Sequence, residues 1–536
     1  MTLQVLTLLY NRVILFFMKN ITTILIYPDF LEEEKFYKNK LGNYSEGLAS
    51  ISAVLKQNGY DVKLYHQLYM PEKKEFIKRL KEEFSLVNPA DENETPRFVI
   101  GFSARTTAIP FITEMAGWLH EEFPNIPVGL GGYHAILVPN ECLNIHGIDM
   151  VIVGEGEYPW LDYLNRLNSG EKHYDITDIE NIHFKMRDGS IIENPVRPLI
   201  EDLDTLPFPD FELFDFENLD RSKNFTAMVM LSRGCLFSCT YCGNSQFRNI
   251  YPNKKKYCRF RSPKKSIEML ELLLQKYPFI KYLEFRDSIF NSYEGWFYEF
   301  MPMYIEKIRL PFNCNLRFDI LTEEMVKMLK DGGCYMIDIG LESGNEEFRT
   351  KYLHRTMKNE HMINVAKWFK ENKITTLTYN IVGLPYETLE LSLETVKLNA
   401  KLDVDKVIPN IFYPYPMTIL AKTAQDGGFI DESVEPNDPV QLRMPQYSYY
   451  DILYMAYNFN KLVRKYRKIY ALPEAKAKKA EAKLDKKITR KNYPRKFLYK
   501  SAKFKENMFV KAKKTIKKIS PKLFIFLKNK TMKEVK

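Results

Sequence analysis

No stretch of this chain reaches the roughly 18 consecutive apolar residues that a membrane-crossing helix needs, so the sequence carries no transmembrane helix. The first 17 residues, MTLQVLTLLYNRVILFF, are largely apolar but lack the small-residue cleavage site of a secretory signal. Met18 opens MKNITTILIYP, a natural first strand, and the expectation is that Met18 is the true start. Cysteine is scarce as well. Seven in 536 residues are too few for a disulfide scaffold, and their clustering points to a reducing, cytoplasmic compartment and to metal chemistry. The main body also lacks any positive excess, although the whole chain carries +10. Residues 461–536 hold 28 Lys and Arg against 5 Asp and Glu, which leaves the rest of the chain at −13. At 45% hydrophobic residues the composition is that of a globular protein, and the length suits about three or four domains.

What is present comes in two series. From 20 to 168, apolar runs (ITTILIYP, DVKLYH, RFVIGFS, IPVGLGG, DMVIVGEGE) alternate with helical patterns. Five βα units of this length predict a flavodoxin-like, doubly wound parallel sheet over 18–169. Ligands of such sheets sit at the carboxyl ends of the strands, here Ser103 to Thr107, Gly129 to His134 and Gly154 to Glu157. Glycines there admit a close backbone approach to a ligand, or simply make tight turns. Residues 170–222 are turn-rich and charged and read as a linker. From 223 to 430 six strands with intervening helices predict a partial, six-unit parallel barrel, whose chemistry collects at the carboxyl ends of its strands. The cysteine loop, Arg286–Asp287, Arg317, Glu342 and Gly383 all fall at or near such ends. Residues 431–536 read as a helical extension ending in a basic tail.

SRGCLFSCTYCGNS places Cys235, Cys239 and Cys242 at C-x3-C-x2-C spacing. Structural zinc takes four protein ligands. Three thiolates from one compact loop can instead hold three irons of a [4Fe–4S] cluster and leave the fourth open to react. A zinc site completed by a distant histidine, or three unrelated core cysteines, are the alternatives. Cys142, Cys258, Cys314 and Cys334 read as small buried hydrophobes.

The cysteine loop, with Tyr241 before its third cysteine, resembles the signature of the radical S-adenosylmethionine superfamily. GLGGYH and VIVGEGE in the first series, with LDTLPFPD, DIGLESG, YNIVGLP and YPYPMT, resemble the branch in which a cobalamin-binding domain precedes the barrel. The resemblance covers residues 20 to about 430.

It implies that Cys235, Cys239 and Cys242 ligate the cluster, whose open iron binds S-adenosylmethionine. Around that cofactor it implies Tyr241 near the adenine, Arg286 and Asp287 near the amino group, Glu342 near the ribose, Arg355 on the carboxylate and Gly383 beside the adenine. Ser103 and Thr107 resemble positions lining the nucleotide tail of cobalamin, with Gly131, Gly132, Gly154 and Glu155 in the adjoining loops. Many cobalamin-binding domains carry Asp-x-His-x-x-Gly after the first strand. The corresponding loop here, YPDFLEEEKFYKNKLG, has no histidine, so the resemblance implies no lower histidine ligand from that motif.

The chemistry implied is reductive cleavage of S-adenosylmethionine to a 5′-deoxyadenosyl radical, and with cobalamin a methyltransferase acting on an unactivated carbon. Radical cyclisation, rearrangement or oxidation without methyl transfer is the second reading, and a cobalamin-binding sensor or carrier the third. The implied partners are a small-molecule or lipid substrate and an electron donor such as flavodoxin or ferredoxin. The tail RKFLYKSAKFKENMFVKAKKTIKKISPKLFIFLKNK mixes Lys with Phe, Leu, Ile and Met, which points to peripheral contact with a membrane surface, nucleic acid being the less favoured polyanion.

Overall fold

The computed structural model describes residues 19–30, 41–91, 94–435 and 438–519, with side chains as far as Met508. Met1, Met18, most of the loop after the first strand and the last 17 residues lie outside the described residues. Two compact units emerge. One takes residues up to 236, 243–288 and 306–308, and the other takes 237–242, 289–305 and those from 309 onward.

The first unit opens with β1 (Thr22–Pro28), α1 (Glu46–Gln57), β2 (Asp61–Gln67), α2 (Lys73–Glu83), β3 (Phe98–Ser103) and α3 (Ile109–Glu122). It continues through β4 (Val128–Gly131), α4 (Tyr133–Leu137), α5 (Pro139–Leu143), β5 (Met150–Ile152), α6 (Glu157–Asn168), β6 (Ile182–Lys185) and β7 (Ile191–Ile192). The sheet order is β2-β1-β3-β4-β5-β6-β7, parallel through β5 and antiparallel at its last two strands. The order 2-1-3-4-5 is that of flavodoxin-like sheets, as expected. Strands sandwiched between helices are apolar throughout, which is why ILIY and FVIGF could be read as strands without alternation. Ile24, Ile26, Ile100, Leu130, Val151 and Met115 belong to its buried core. Residues 170–222, expected as a linker, supply β6 and β7. Gly189, at φ +83° just after Asp188, turns the chain between them.

The same unit then forms β8 (Thr226–Val229), β9 (Ser232–Arg233), α7 (Gly243–Asn249), β10 (Arg259–Phe260), α8 (Pro263–Lys276) and β11 (Tyr282–Phe285). β8 and β11 pair in parallel, while β9 and β10 form a short antiparallel ladder.

The second unit holds α9 (Glu294–Lys307, whose last residues fall to the first unit), β12 (Phe312–Leu316), α10 (Glu323–Asp331), β13 (Cys334–Glu342), α11 (Glu346–Leu353) and α12 (Asn359–Glu371). β14 (Thr375–Val382), α13 (Leu389–Lys401), β15 (Lys406–Ile411) and α14 (Ile419–Asp426) complete its βα repeats. β12 to β15 pair side by side, all parallel. Threonine caps open three of these helices. Thr322 accepts from Met325 N–H, Thr388 from Leu391 and Thr418 from Ala421. Pro409 is tolerated in β15 because that strand lies at the sheet edge. Three long helices follow: α15 (Tyr449–Tyr470), α16 (Glu474–Thr489) and α17 (Arg495–Ile519). No helix among the described residues is long and apolar enough to cross a membrane.

Candidate functional site

Within the first unit a cavity of about 510 Å³ opens at the carboxyl ends of β1, β3, β4 and β5, a volume in the range of small-molecule and cofactor sites. Ser103, Gly131, Gly132, Gly154 and Glu155 line it, as the sequence led one to expect. Thr107 does not; it is exposed in the turn Thr106–Ala108. Glycine is needed at specific edges. Gly132 sits at φ +99°, where a Cβ would lie 2.7 Å from the carbonyl oxygen of Ala104. Gly154 sits at φ +106°, where a Cβ would lie 2.8 Å from the hydroxyl of Tyr251. Gly101 and Gly129 have a different task. A Cβ on either would come within 3.0 or 2.7 Å of the Trp160 indole, which fills the space between them and donates to Thr23 Oγ1 at 3.1 Å.

One wall of the cavity is a charge network that the sequence did not reveal. Arg233 donates to Glu155 (2.8 Å), to Glu157 (2.5 Å) and to Ser50 Oγ (2.8 Å). Arg259 donates to the other oxygen of Glu155 (3.1 Å) and to the carbonyl of Ile200 (2.7 Å). Glu155 is therefore a counter-ion joining two arginines. Burial pushes the Glu157 carboxyl upward, but Arg233 and Ser50 hold it below the usual carboxylate range. Glu46, also on the lining, is pushed up to about 7 by burial, against the pull of Arg233 and Arg261.

Among the described residues no histidine lines the cavity. His66 is held elsewhere. Its Nε2 meets Asp29 at 3.1 Å, and its ring stacks on Tyr27 (5.3 Å) and meets Phe214 edge-on (5.6 Å). His134 turns to Thr106 Oγ1 at 3.2 Å.

Arg286 and Asp287 also belong to the first unit. Arg286 pairs with Glu284 at 2.8 Å. Asp287 is fully buried and accepts from Leu231 N–H (2.9 Å) and Ser232 Oγ (2.5 Å), bracing the segment that leads into the cysteine loop. Burial pushes its carboxyl up to about 6. In that segment Gly234, at φ +80°, has no room for a Cβ, which would lie 2.2 Å from the carbonyl of Tyr257.

The cysteine motif passes from one unit to the other, with Cys235 in the first and Cys239 and Cys242 in the second. None of the seven cysteines is in a disulfide. Among the described residues no three His, Cys, Asp or Glu side chains are grouped to hold a single metal ion. A four-iron cluster instead spreads its thiolates over separate irons.

In the second unit two side chains close on the Cys239 sulfur, and two more join the network. Arg317 donates to its Sγ at 3.3 Å and Arg355 at 3.6 Å. Arg355 also donates to the Tyr241 hydroxyl (3.2 Å) and to the carbonyl of Gly340 (2.6 Å), and Tyr241 donates to Glu342 Oε1 (3.0 Å). Glu342 ends β13 at φ +66°, in the left-handed region, where the β13–β14 register shifts. A buried carboxylate at positive φ persists only where the surrounding structure enforces it. Burial raises its pKa, with Arg355 opposing. Arg317, noticed in the sequence only as a strand-end residue, stands 3.7 Å over the Phe237 ring and pairs with Asp319 at 2.7 Å. Thr240 is pinned on two sides: its hydroxyl donates to the carbonyl of Tyr352, and its own carbonyl accepts from Leu420 N–H at 3.0 Å. Gly383 turns at φ +82°, its N–H donating to Glu387 (2.6 Å) and its open face covered by Ile452.

These residues fit the cofactors. Two guanidinium groups donate to one cysteine sulfur and fix the position of that ligand. Arg355 Nε is buried without a hydrogen-bond partner, a donor left open for an anionic group. The glycine-edged cavity, whose principal charges are paired, suits a large and mostly neutral ring.

A model of the radical SAM superfamily matches residues 229–398, and a model of the B12 binding domain matches 43–163. The chain is 28% identical over 328 residues to an uncharacterized methyltransferase of Pyrococcus horikoshii, covering 60% of this chain and 68% of that protein. It is 26% identical over 335 residues to the anaerobic magnesium-protoporphyrin IX monomethyl ester cyclase of Rubrivivax gelatinosus, covering 61% and 58%. Among solved structures it resembles the radical S-adenosylmethionine methyltransferase TsrM of Kitasatospora setae with cobalamin and a [4Fe–4S] cluster bound. The TM-score is 0.58 at 16% identity, over 76% of this chain and 75% of that one. It also resembles the cobalamin-dependent radical enzyme OxsB with aqua-cobalamin bound, with a TM-score of 0.60 at 15% identity over 93% and 76%. At such identities the likeness is one of fold: a B12-binding domain, a radical SAM domain after it, and a helical C-terminal region.

Proposed function

The chain belongs to the radical S-adenosylmethionine superfamily, in its branch with an N-terminal B12-binding domain, and from that membership we propose that it transfers a methyl group to an unactivated carbon of a small-molecule substrate, with cobalamin as the methyl carrier. The observation that carries this reading is the glycine-edged cavity at the carboxyl ends of the first sheet, on the same chain as the cysteine motif. Gly132 and Gly154, both in left-handed turns on its lining, let a ligand approach the backbone closely.

In this reading Cys235, Cys239 and Cys242 hold the cluster. Arg355 takes the carboxylate of S-adenosylmethionine, with Tyr241, Glu342 and Gly383 around its nucleoside. Ser103, Gly131, Gly132 and Gly154 edge the cobalamin. When bound, these groups supply a one-electron reduction, a source of a carbon radical and a transferable methyl group. The protein's residues do the positioning. Arg317 and Arg355 hold the Cys239 sulfur in place through their hydrogen bonds. Glu155 and Glu157 fix Arg233, two residues before Cys235, against the loop after β5. Tyr241 donates to the buried Glu342 carboxyl and orients it. A small one-electron carrier such as a flavodoxin or ferredoxin supplies the electron. Peripheral contact with a membrane through the basic C-terminal segment belongs to the same reading.

The test is metal content followed by products, on protein made with cobalamin and purified without oxygen. About four irons and one cobalt per chain support the reading. S-adenosylhomocysteine formed together with 5′-deoxyadenosine identifies methyl transfer. Iron without cobalt, and 5′-deoxyadenosine alone, would give the radical reaction without methyl transfer, the type of chemistry suggested by the name of the Rubrivivax cyclase.

A further inference from the structure

Helix α17 is held to the second unit by one side only. Tyr499 is buried, and its ring meets Tyr457 at 5.0 Å and Tyr450 at 6.5 Å, both on α15. Arg495 pairs with Asp451 and donates to the carbonyl of Ile488 at 2.7 Å. The other side faces solvent. Phe497, Phe504 and Met508 are 70%, 64% and 56% exposed. At i, i+7 and i+11 they fall within a stripe about 40° wide. Lys496, Lys500, Lys503 and Lys505 flank it, all exposed. Across its whole length the helix carries ten Lys and Arg against one Glu.

Single exposed apolar residues are ordinary on a protein surface. Three in line along one helix, bordered by lysines, make the pattern of a helix that lies in a bilayer interface. The charge sets the partner's sign. The helix's one arginine is committed to Asp451, so its exposed cations are lysines, which act as point charges toward headgroups rather than as planar forks toward bases. We propose that α17 seats this protein on an anionic phospholipid bilayer, with Phe497, Phe504 and Met508 entering the acyl boundary and the flanking lysines meeting the headgroups. This gives the membrane contact of the preceding section a named face, and it does not depend on methyl transfer.

The full-length chain is sedimented with phosphatidylcholine vesicles and with vesicles containing about one third phosphatidylglycerol, at moderate salt. The protein should pellet with the anionic vesicles alone. F497S/F504S/M508S leaves every charge in place and should lower partitioning at least about tenfold. K496Q/K500Q/K503Q/K505Q should lower it too, and unchanged melting curves confirm that both variants fold. Wild-type protein remaining in the supernatant with anionic vesicles overturns the proposal. So does a triple variant that pellets like wild type, which would mean adsorption by charge elsewhere. A wild-type dimer that the triple variant dissolves, without vesicle binding, would assign the stripe to a second copy. Tighter binding to single-stranded RNA than to vesicles would assign the helix to nucleic acid. Because pelleting requires no turnover, failure here is separate from failure of the methyl-transfer reading.

Discussion

A Cβ placed on Gly340 would lie 2.4 Å from Oε1 of Glu342, so the absence of a side chain at one residue lets the carboxyl of the other reach Tyr241. Gly340→Ala should swing that carboxyl away rather than unfold the strand, because the clashing atom ends a flexible side chain. We expect the affinity for S-adenosylmethionine to fall about tenfold, with melting shifted by only a few degrees. Calorimetric titration of cluster-loaded protein measures it, and unchanged affinity would remove Glu342 from the cofactor site.

Replacing Cys235, Cys239 or Cys242 with alanine should each strip most of the iron from protein reconstituted without oxygen. The same change at Cys142, 1% exposed in the first unit's core, should keep the iron and cost stability instead. Iron retained in Cys239→Ala would contradict the ligand set.

Arg233→Met should be among the most destabilising single changes in the first unit. It leaves Glu155 and Glu157 beside a cavity wall without one of their guanidinium partners, a loss of about 3–5 kcal/mol for a buried pair. The pH dependence has a definite sign. Glu157 is held below its ordinary pKa in the folded protein, so its contribution is present above about pH 4 and is lost as pH falls through the folded value. The gap between wild type and Arg233→Met in chemical denaturation should narrow in acid.

Asp287 runs the other way. Burial raises its folded pKa to about 6, so the folded state binds the proton more tightly than the unfolded chain. Its carboxylate therefore costs stability progressively from about pH 4 to pH 6. Asp287→Asn keeps an oxygen to accept from Leu231 and Ser232 and should abolish that slope. Parallel denaturation curves for the two proteins across this window would refute the assignment.

Much of this arrangement could be read in the chain itself, for reasons of local chemistry. Apolar runs ending in glycine, with helical periodicity between them, define parallel βα units without tertiary information, and cysteine spacing within eight residues is local by nature. What was missed is non-local or masked by polar composition. β6 and β7 hide in a charged segment because they are only four and two residues long. Arg233, Glu155 and Arg259 are too far apart in sequence for any spacing rule to join them. Arg317 had no signal beyond its place at a strand end, and its stacking on Phe237 needs the fold. Thr107 is a different case: Ser103, four residues before it, lines the cavity, while one turn of 3₁₀ helix leaves Thr107 exposed.

Trp160 is wedged where two strand glycines make room for it, and it is one of four tryptophans in the chain. Its indole borders the cavity. A strongly coloured ring entering that space would drain its fluorescence. The protein thus carries its own optical gauge of cavity occupancy, readable by a simple emission titration before any turnover is attempted.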